Sequence, residues 1–244
     1  MSEQTSNNAQ KKFITDSPKL NFFLGLVLGV AIISTAGFFS LGLAKKSNNN
    51  QANNNQNNGE QVAGEQAEQP EIKVDLKIAE TDHVLGDKNA PIKIFEFSDF
   101  QCPYCARHHE TLNKIVADYK GQVAWIFKQF PIQSHPLGLP GALASECAAE
   151  QGKFWEMADM IFKNQTTLTT ESFAKFAQSL GLDTEKFNTC YKDEKYKEKI
   201  AADYNLGIDS GVQGTPSNFV NNQSVPGAVP YEEFKQIIEQ LLKK

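Results

Sequence analysis

The alternating, aromatic-rich run PIKIFEFSDF (91–100) is followed, after Gln101, by Cys102, Pro103, Tyr104 and Cys105. Those four lead without a break into ARHHETLNKIVADY (106–119). Alternation with a period of two marks the first run as a strand. Leu112, Ile115, Val116 and Tyr119 recur at helical spacing in the second. A further apolar run, QVAWIFKQFPI (122–132), has the length and composition of a buried strand. A strand, a helix and a strand over about 40 residues make a parallel βαβ unit with a right-handed crossover. The fold class is therefore α/β, and the Cys-x-x-Cys pair sits where a strand hands over to a helix.

That position has chemical consequences. A helix start presents unpaired N–H groups and the positive end of the helix dipole. A cysteine there has its thiolate stabilised and its pKa lowered. A second cysteine one turn inside can close a disulfide with it. Cys102 is the expected nucleophile and Cys105 the expected resolving cysteine. Pro103 suits the first helical turn, where its missing N–H costs nothing. Pro103 and Tyr104 carry no charge, so the helix start is expected to supply most of the stabilisation.

Other readings of the pair are a zinc site and a purely structural disulfide. Zinc would draw on Cys102, Cys105 and the adjacent His108 and His109. Structural zinc sites usually take their second ligand pair from a distant segment, and the remaining cysteines, Cys147 and Cys190, are single and 43 residues apart. No metal site is expected. No phosphate-binding or dinucleotide-binding glycine motif is present, and no cofactor is expected. A net charge of −5 argues against binding nucleic acid through its phosphates.

Beyond 132 the pattern turns helical. Residues 140–164 carry alanines and apolar residues at helical spacing. Thr170 is a candidate cap for a helix over 171–180, and Asp183 for one over 184–191; 194–209 reads as another. Strand character returns at 217–220 and near Gly227, joined as a hairpin through Asn221, Asn222 and Gln223. Pro230 fits the first turn of a last helix, YEEFKQIIEQLLKK.

The N-terminal part divides differently. Residues 1–19 form a polar tail expected to be cytoplasmic. Residues 20–44 contain no charge, and a bilayer core of about 30 Å needs about 20 helical residues. An uncleaved single-pass anchor is expected, with cleavage after Ala44 as the rival. Residues 45–71 are rich in Asn and Gln and lack aromatic residues. They cannot bury enough apolar surface to offset ordering and read as a disordered linker. Residues 72–244 form one domain.

FEFSDFQCPYC (95–105), GTPSNF (214–219), ECAAEQGKFWEMADMIF (146–162) and GAVPYEEFKQII (227–238) together resemble the DsbA-like thiol–disulfide oxidoreductases of the thioredoxin superfamily. The resemblance covers nearly all of 75–242. It implies a thioredoxin-like fold with a helical insertion at about 136–210. Pro216 would be a cis-proline facing the disulfide, and Thr215 would offer backbone hydrogen bonds to an extended substrate. Glu96 falls where the family carries a buried acid. Read from the residues, Glu96 interrupts an apolar strand, so burial would raise its pKa and let it accept a proton from Cys105. The alternative is an exposed edge position. Lys128, on the next strand, is its candidate partner or a surface lysine. Asp99 reads as a turn cap. Neither His108 nor His109 is expected to be catalytic. Cys147 and Cys190 are expected to pair in an oxidising compartment; two buried thiols are the alternative.

The function these readings imply is disulfide donation to exported proteins. Unfolded or partly folded proteins bearing thiols would be the substrates. A DsbB-like membrane partner would reoxidise the dithiol. The chain would be a monomer, membrane-anchored through residues 20–44, with its catalytic domain on the extracytoplasmic (periplasmic) side. A reductase or isomerase of the same fold, or an anchored zinc- or peptide-binding module, are the rival functions.

Overall fold

The computed structural model describes residues 74–243. The expected tail, anchor and linker (1–71) lie outside the described residues. Among the described residues, no helix is long and apolar enough to cross a membrane.

A sheet of five strands organises the domain: β1 (His83–Gly86), β2 (Ile92–Ser98), β3 (Val123–Gln129), β4 (Ser217–Val220) and β5 (Gln223–Pro226), in the spatial order β1-β3-β2-β4-β5. Only β2 and β3 run parallel. Helix α1 (Pro103–Asp118) makes the crossover between them, as their parallel pairing demands. The remaining pairs are antiparallel.

β2 and β3 lie in the interior of the sheet, so both their faces are buried and both read as apolar. Ile92, Ile94, Trp125 and Phe127 pack on the face shared with Leu112 and Ile115 of α1. Phe234 and Ile238 of the last helix, α7 (Tyr231–Leu242), join them there. Phe95, Phe97, Ala124 and Ile126 pack on the opposite face with Phe130, Val212 and Phe219.

Strand β1 was not visible in the sequence, because four residues are too few to show alternation. Gly86 ends it at φ +96°, and a Cβ there would stand 2.4 Å from the Val123 carbonyl oxygen. The two-residue turn Asn221–Asn222 joins β4 to β5, both residues having positive φ, as asparagine tolerates. Gln223, expected in the turn, instead pairs with Val220. The Asn221 side chain accepts from the Lys93 N–H and donates to the Pro91 carbonyl. The Asn222 side chain accepts from the Leu76 N–H.

The insertion comprises α2 (Gly138–Ala149), α3 (Phe154–Lys163), α4 (Thr170–Ser179), α5 (Thr184–Lys192) and α6 (Lys197–Asp209). Gly152, at φ +73°, breaks the first helical block into two, with the Lys153 N–H closing on the Ala148 carbonyl. Asp183 caps α5 by accepting from the N–H groups of Glu185 and Lys186. Thr169, not Thr170, caps α4, in a reciprocal arrangement with Ser172. Helix α2 is buried on nearly every side, which is why its sequence shows alanine and glycine rather than an amphipathic stripe.

Lys128 does not pair with Glu96. In the β2–β3 register Glu96 lies opposite Phe127, and Lys128 opposite Phe97. Adjacent residues point to opposite faces, so the two side chains are on different sides of the sheet. Lys128 is buried with Asp82 and with Asp203, the latter at 3.1 Å. Lys199 bridges Asp203 and Glu146, and His83 meets Glu146 at 2.8 Å. A buried charge is tolerated only when paired in this way; the cluster ties β1 and β3 to α2 and α6.

Cys147 on α2 and Cys190 on α5 are joined by a disulfide spanning 43 residues. By loop-closure entropy a cross-link of that span stabilises by up to about 4 kcal/mol. The double variant C147S/C190S is expected to unfold at a markedly lower urea concentration with its Cys102–Cys105 pair still exchanging. An unchanged midpoint would show that the bond adds nothing to stability.

Candidate active site

The carboxyl end of β2 and the start of α1 place the two cysteines. Cys102 is the N-cap of α1, with Pro103 in the first turn. Its carbonyl accepts from the N–H groups of Cys105 (3.0 Å) and Ala106 (3.2 Å), and its own N–H donates to the Asp99 carbonyl (3.1 Å). Both cysteines are free thiols in this structure. Cys102 retains 4% exposure and Cys105 none. Tyr104, between them, is 58% exposed, with the Arg107 guanidinium 5.3 Å from its ring centre.

The loop before β4 supplies the facing wall. The Thr215–Pro216 peptide bond is cis, and the Cys102 thiol donates to the Thr215 carbonyl at 3.3 Å. A groove of about 520 Å³ runs beside this loop, lined by Val212, Gly214, Thr215, Pro216, Phe219 and Pro226 among others. Its lining comes from this loop and from β4 and β5, and neither Cys102 nor Cys105 is part of it.

The two sulfurs are electrostatically unequal. Cys102 is held down to about 5, chiefly because the Cys105 thiol donates to it; burial opposes this, and the Thr215 side chain and the N–H groups of Cys105 and Tyr104 assist. Burial pushes Cys105 well above the usual thiol range, and its bond to Cys102 and the charge of Glu96 push it further. The Asp99 N–H reaches Cys105 Sγ at 3.5 Å.

Glu96 lies fully buried on the cysteine side of the sheet. Its Oε2 accepts from the Trp125 indole N–H at 3.0 Å. Burial raises its pKa to about 8, and side-chain hydrogen bonds pull it back only in part. At neutral pH it holds a proton within electrostatic reach of both sulfurs. Asp99 caps the turn into the motif by accepting from the Gln101 N–H, and also accepts from the Ile132 N–H.

His108 and His109 are both buried and engaged elsewhere. His108 Nε2 contacts Asn218 Oδ1 at 2.9 Å, and His109 Nε2 contacts Asp159. Among the described residues, no group of three or more His, Cys, Asp or Glu side chains is gathered so as to hold a metal ion. Cys147 and Cys190, within the insertion, stand apart from this site. Sequence reasoning missed Gln165, whose amide reaches the carbonyls of Phe100 and Cys102. It lies in the polar stretch KNQTTLTT, where nothing in the pattern sets it apart.

Two outcomes follow from these environments. Thiolate absorbance should show Cys102 ionising near pH 5, and C105A, which removes the donating thiol, should move that midpoint upward; an unmoved midpoint would refute the role given to Cys105. Folded Glu96 keeps its proton to about pH 8, whereas an unfolded glutamate loses it near 4.5. Between those values the unfolded chain binds fewer protons, so stability falls as pH rises. The stability of E96Q relative to the parent should therefore climb from about pH 5 to about 8 and level off above. A difference that does not vary with pH, measured by urea titration, would exclude a buried acid at this position.

Residues 78–240 match the model of the thioredoxin family. The chain superposes on oxidised BdbD from Bacillus subtilis with a TM-score of 0.62 and 26% identity, covering 67% of this chain and 94% of that one. Against alpha-DsbA1 from Wolbachia pipientis the TM-score is 0.62 and the identity 26%, covering 68% and 93%. A 153-residue stretch, 62% of this chain, is 35% identical to part of the Na(+)/H(+) antiporter NhaA 3 of Salinispora tropica, and spans only 23% of the antiporter's length. A cysteine pair at a strand–helix junction, a cis-proline loop facing it and a helical insertion between them place this chain in the thioredoxin family, among its DsbA-like thiol–disulfide oxidoreductases.

Proposed function

We propose that this protein is a membrane-tethered disulfide oxidase that passes the Cys102–Cys105 disulfide to exported proteins. A substrate thiolate attacks Cys102 Sγ and breaks its bond to Cys105, giving a mixed disulfide. Cys105 leaves as a thiolate and takes up a proton, for which Glu96 is the adjacent donor. A second substrate thiolate attacks the substrate sulfur of the mixed disulfide. The substrate gains its disulfide, and Cys102 leaves as a thiolate. The two electrons now held by the dithiol pass to a membrane-bound partner of the DsbB type. Thr215 and Pro216 hold the extended substrate segment during the first attack.

The direction is supported by the placement of the sulfurs: Cys102 caps the start of α1 and is held down to about 5, whereas Cys105 is sealed inside and pushed well up. A stabilised thiolate favours the dithiol form, which makes the disulfide form an oxidant. In this proposal residues 20–44, which carry no charge, are the single-pass anchor, 1–19 the inner tail and 45–71 the linker. The domain from 72 onward then works on the extracytoplasmic face, where disulfides persist.

Equilibration of Cys102–Cys105 against glutathione tests the direction. We expect a potential above about −180 mV, the range of oxidising family members, and a reduced form that melts higher than the oxidised one. A value near about −270 mV, with the oxidised form more stable, makes the protein a reductase. In intact cells a membrane-impermeant maleimide should reach Cys102 after mild reduction; protection from it would place the domain inside.

A further inference from the structure

Gln165 opens the one-turn 3₁₀ segment Gln165–Thr167 that joins α3 to α4. Its Nε2 crosses from the insertion to the motif loop and donates to two backbone carbonyls, Phe100 at 2.9 Å and Cys102 at 3.0 Å. Gln101, between those residues, reaches the opposite way, its side-chain oxygen accepting from the Leu137 N–H just before α2. Asp99 accepts from the Ile132 N–H and meets His135 at 3.2 Å. Phe100 seals the same boundary: a Cβ on Gly141 of α2 would stand 2.8 Å from its own Cβ. Residues 100–102 are therefore fastened to the insertion, and Asp99 to the loop that leads into it.

The Cys102 carbonyl is no ordinary acceptor. It already receives the N–H groups of Cys105 and Ala106, and Gln165 adds a third donor. The negative end of this carbonyl belongs to the residue whose sulfur carries the charge. An amide donor placed on it offsets that negative end and so lowers the energy of the neighbouring anion. The same bond fixes Cys102 as the N-cap, which keeps the N–H groups of Tyr104 and Cys105 facing the sulfur.

We propose that Gln165 is a positioning residue for thiol–disulfide exchange, through which the helical insertion sets the reactivity of Cys102. The inference rests on the exchange reading of the Cys102–Cys105 pair. The disulfide form carries no anion at Cys102, so the amide favours the dithiol form and makes the pair more oxidising.

The test uses the full chain with Q165A and with Q165E, which keeps the shape and loses both donors. The readouts are the thiolate titration of Cys102 and the equilibrium constant with glutathione. For the loss of one such hydrogen bond, Q165A should raise the midpoint by about 0.5–1 pH unit and shift the equilibrium about 3–10-fold toward the disulfide. Q165E should shift both at least as far. A fall in melting temperature with midpoint and equilibrium constant unmoved would mean that Gln165 only packs, and would overturn the proposal. A parent protein whose Cys102 titrates like a free cysteine would instead overturn the exchange reading itself.

Discussion

The electrostatic coupling between the Cys105 thiol and the Cys102 sulfur is the interaction on which the site depends. It is asymmetric because the surroundings are. One sulfur lies at a helix start, against a carbonyl of the cis-proline loop and at the edge of solvent; the other is sealed inside. Burial alone would raise both pKa values. Placing the donor on the buried partner converts a shared penalty into a large separation between them. The sheet register then puts Glu96 on the same face, where its own burial keeps it neutral near pH 7.

The rest of the domain holds this arrangement still. The parallel β2–β3 pair fixes the strand that ends at the motif, and α1 starts where the crossover must begin. The insertion closes over the result through polar bonds to residues 100–102 and through the aromatic cluster of Phe100, Phe127 and Phe162. The Lys128 cluster secures the other face, joining sheet and insertion by buried charges that each have a partner.

Much of this was legible because the informative residues are close in sequence. Alternation over 91–100, helical spacing after Cys105 and the second apolar run specify the βαβ unit without distant information. Asp183 announces its helix because capping is local. What escaped depends on contacts between remote segments. β1 is too short to show a period and exists only through its pairing with β3. Lys128 was matched to Glu96 by proximity of strands, and only the register shows the two on opposite faces. Gln165 is 63 residues from Cys102. A lone glutamine in a polar stretch carries no periodic signal, and its target is a backbone carbonyl that no sequence pattern marks.

The hairpin turn at Asn221 and Asn222 also has a mechanical consequence. It grips the chain at Leu76 and at Pro91 and Lys93, beside the beginning of β2, whereas Cys102 follows the other end of that strand. A strain applied at Leu76 therefore meets the hairpin first, with the length of β2 between Leu76 and the sulfurs.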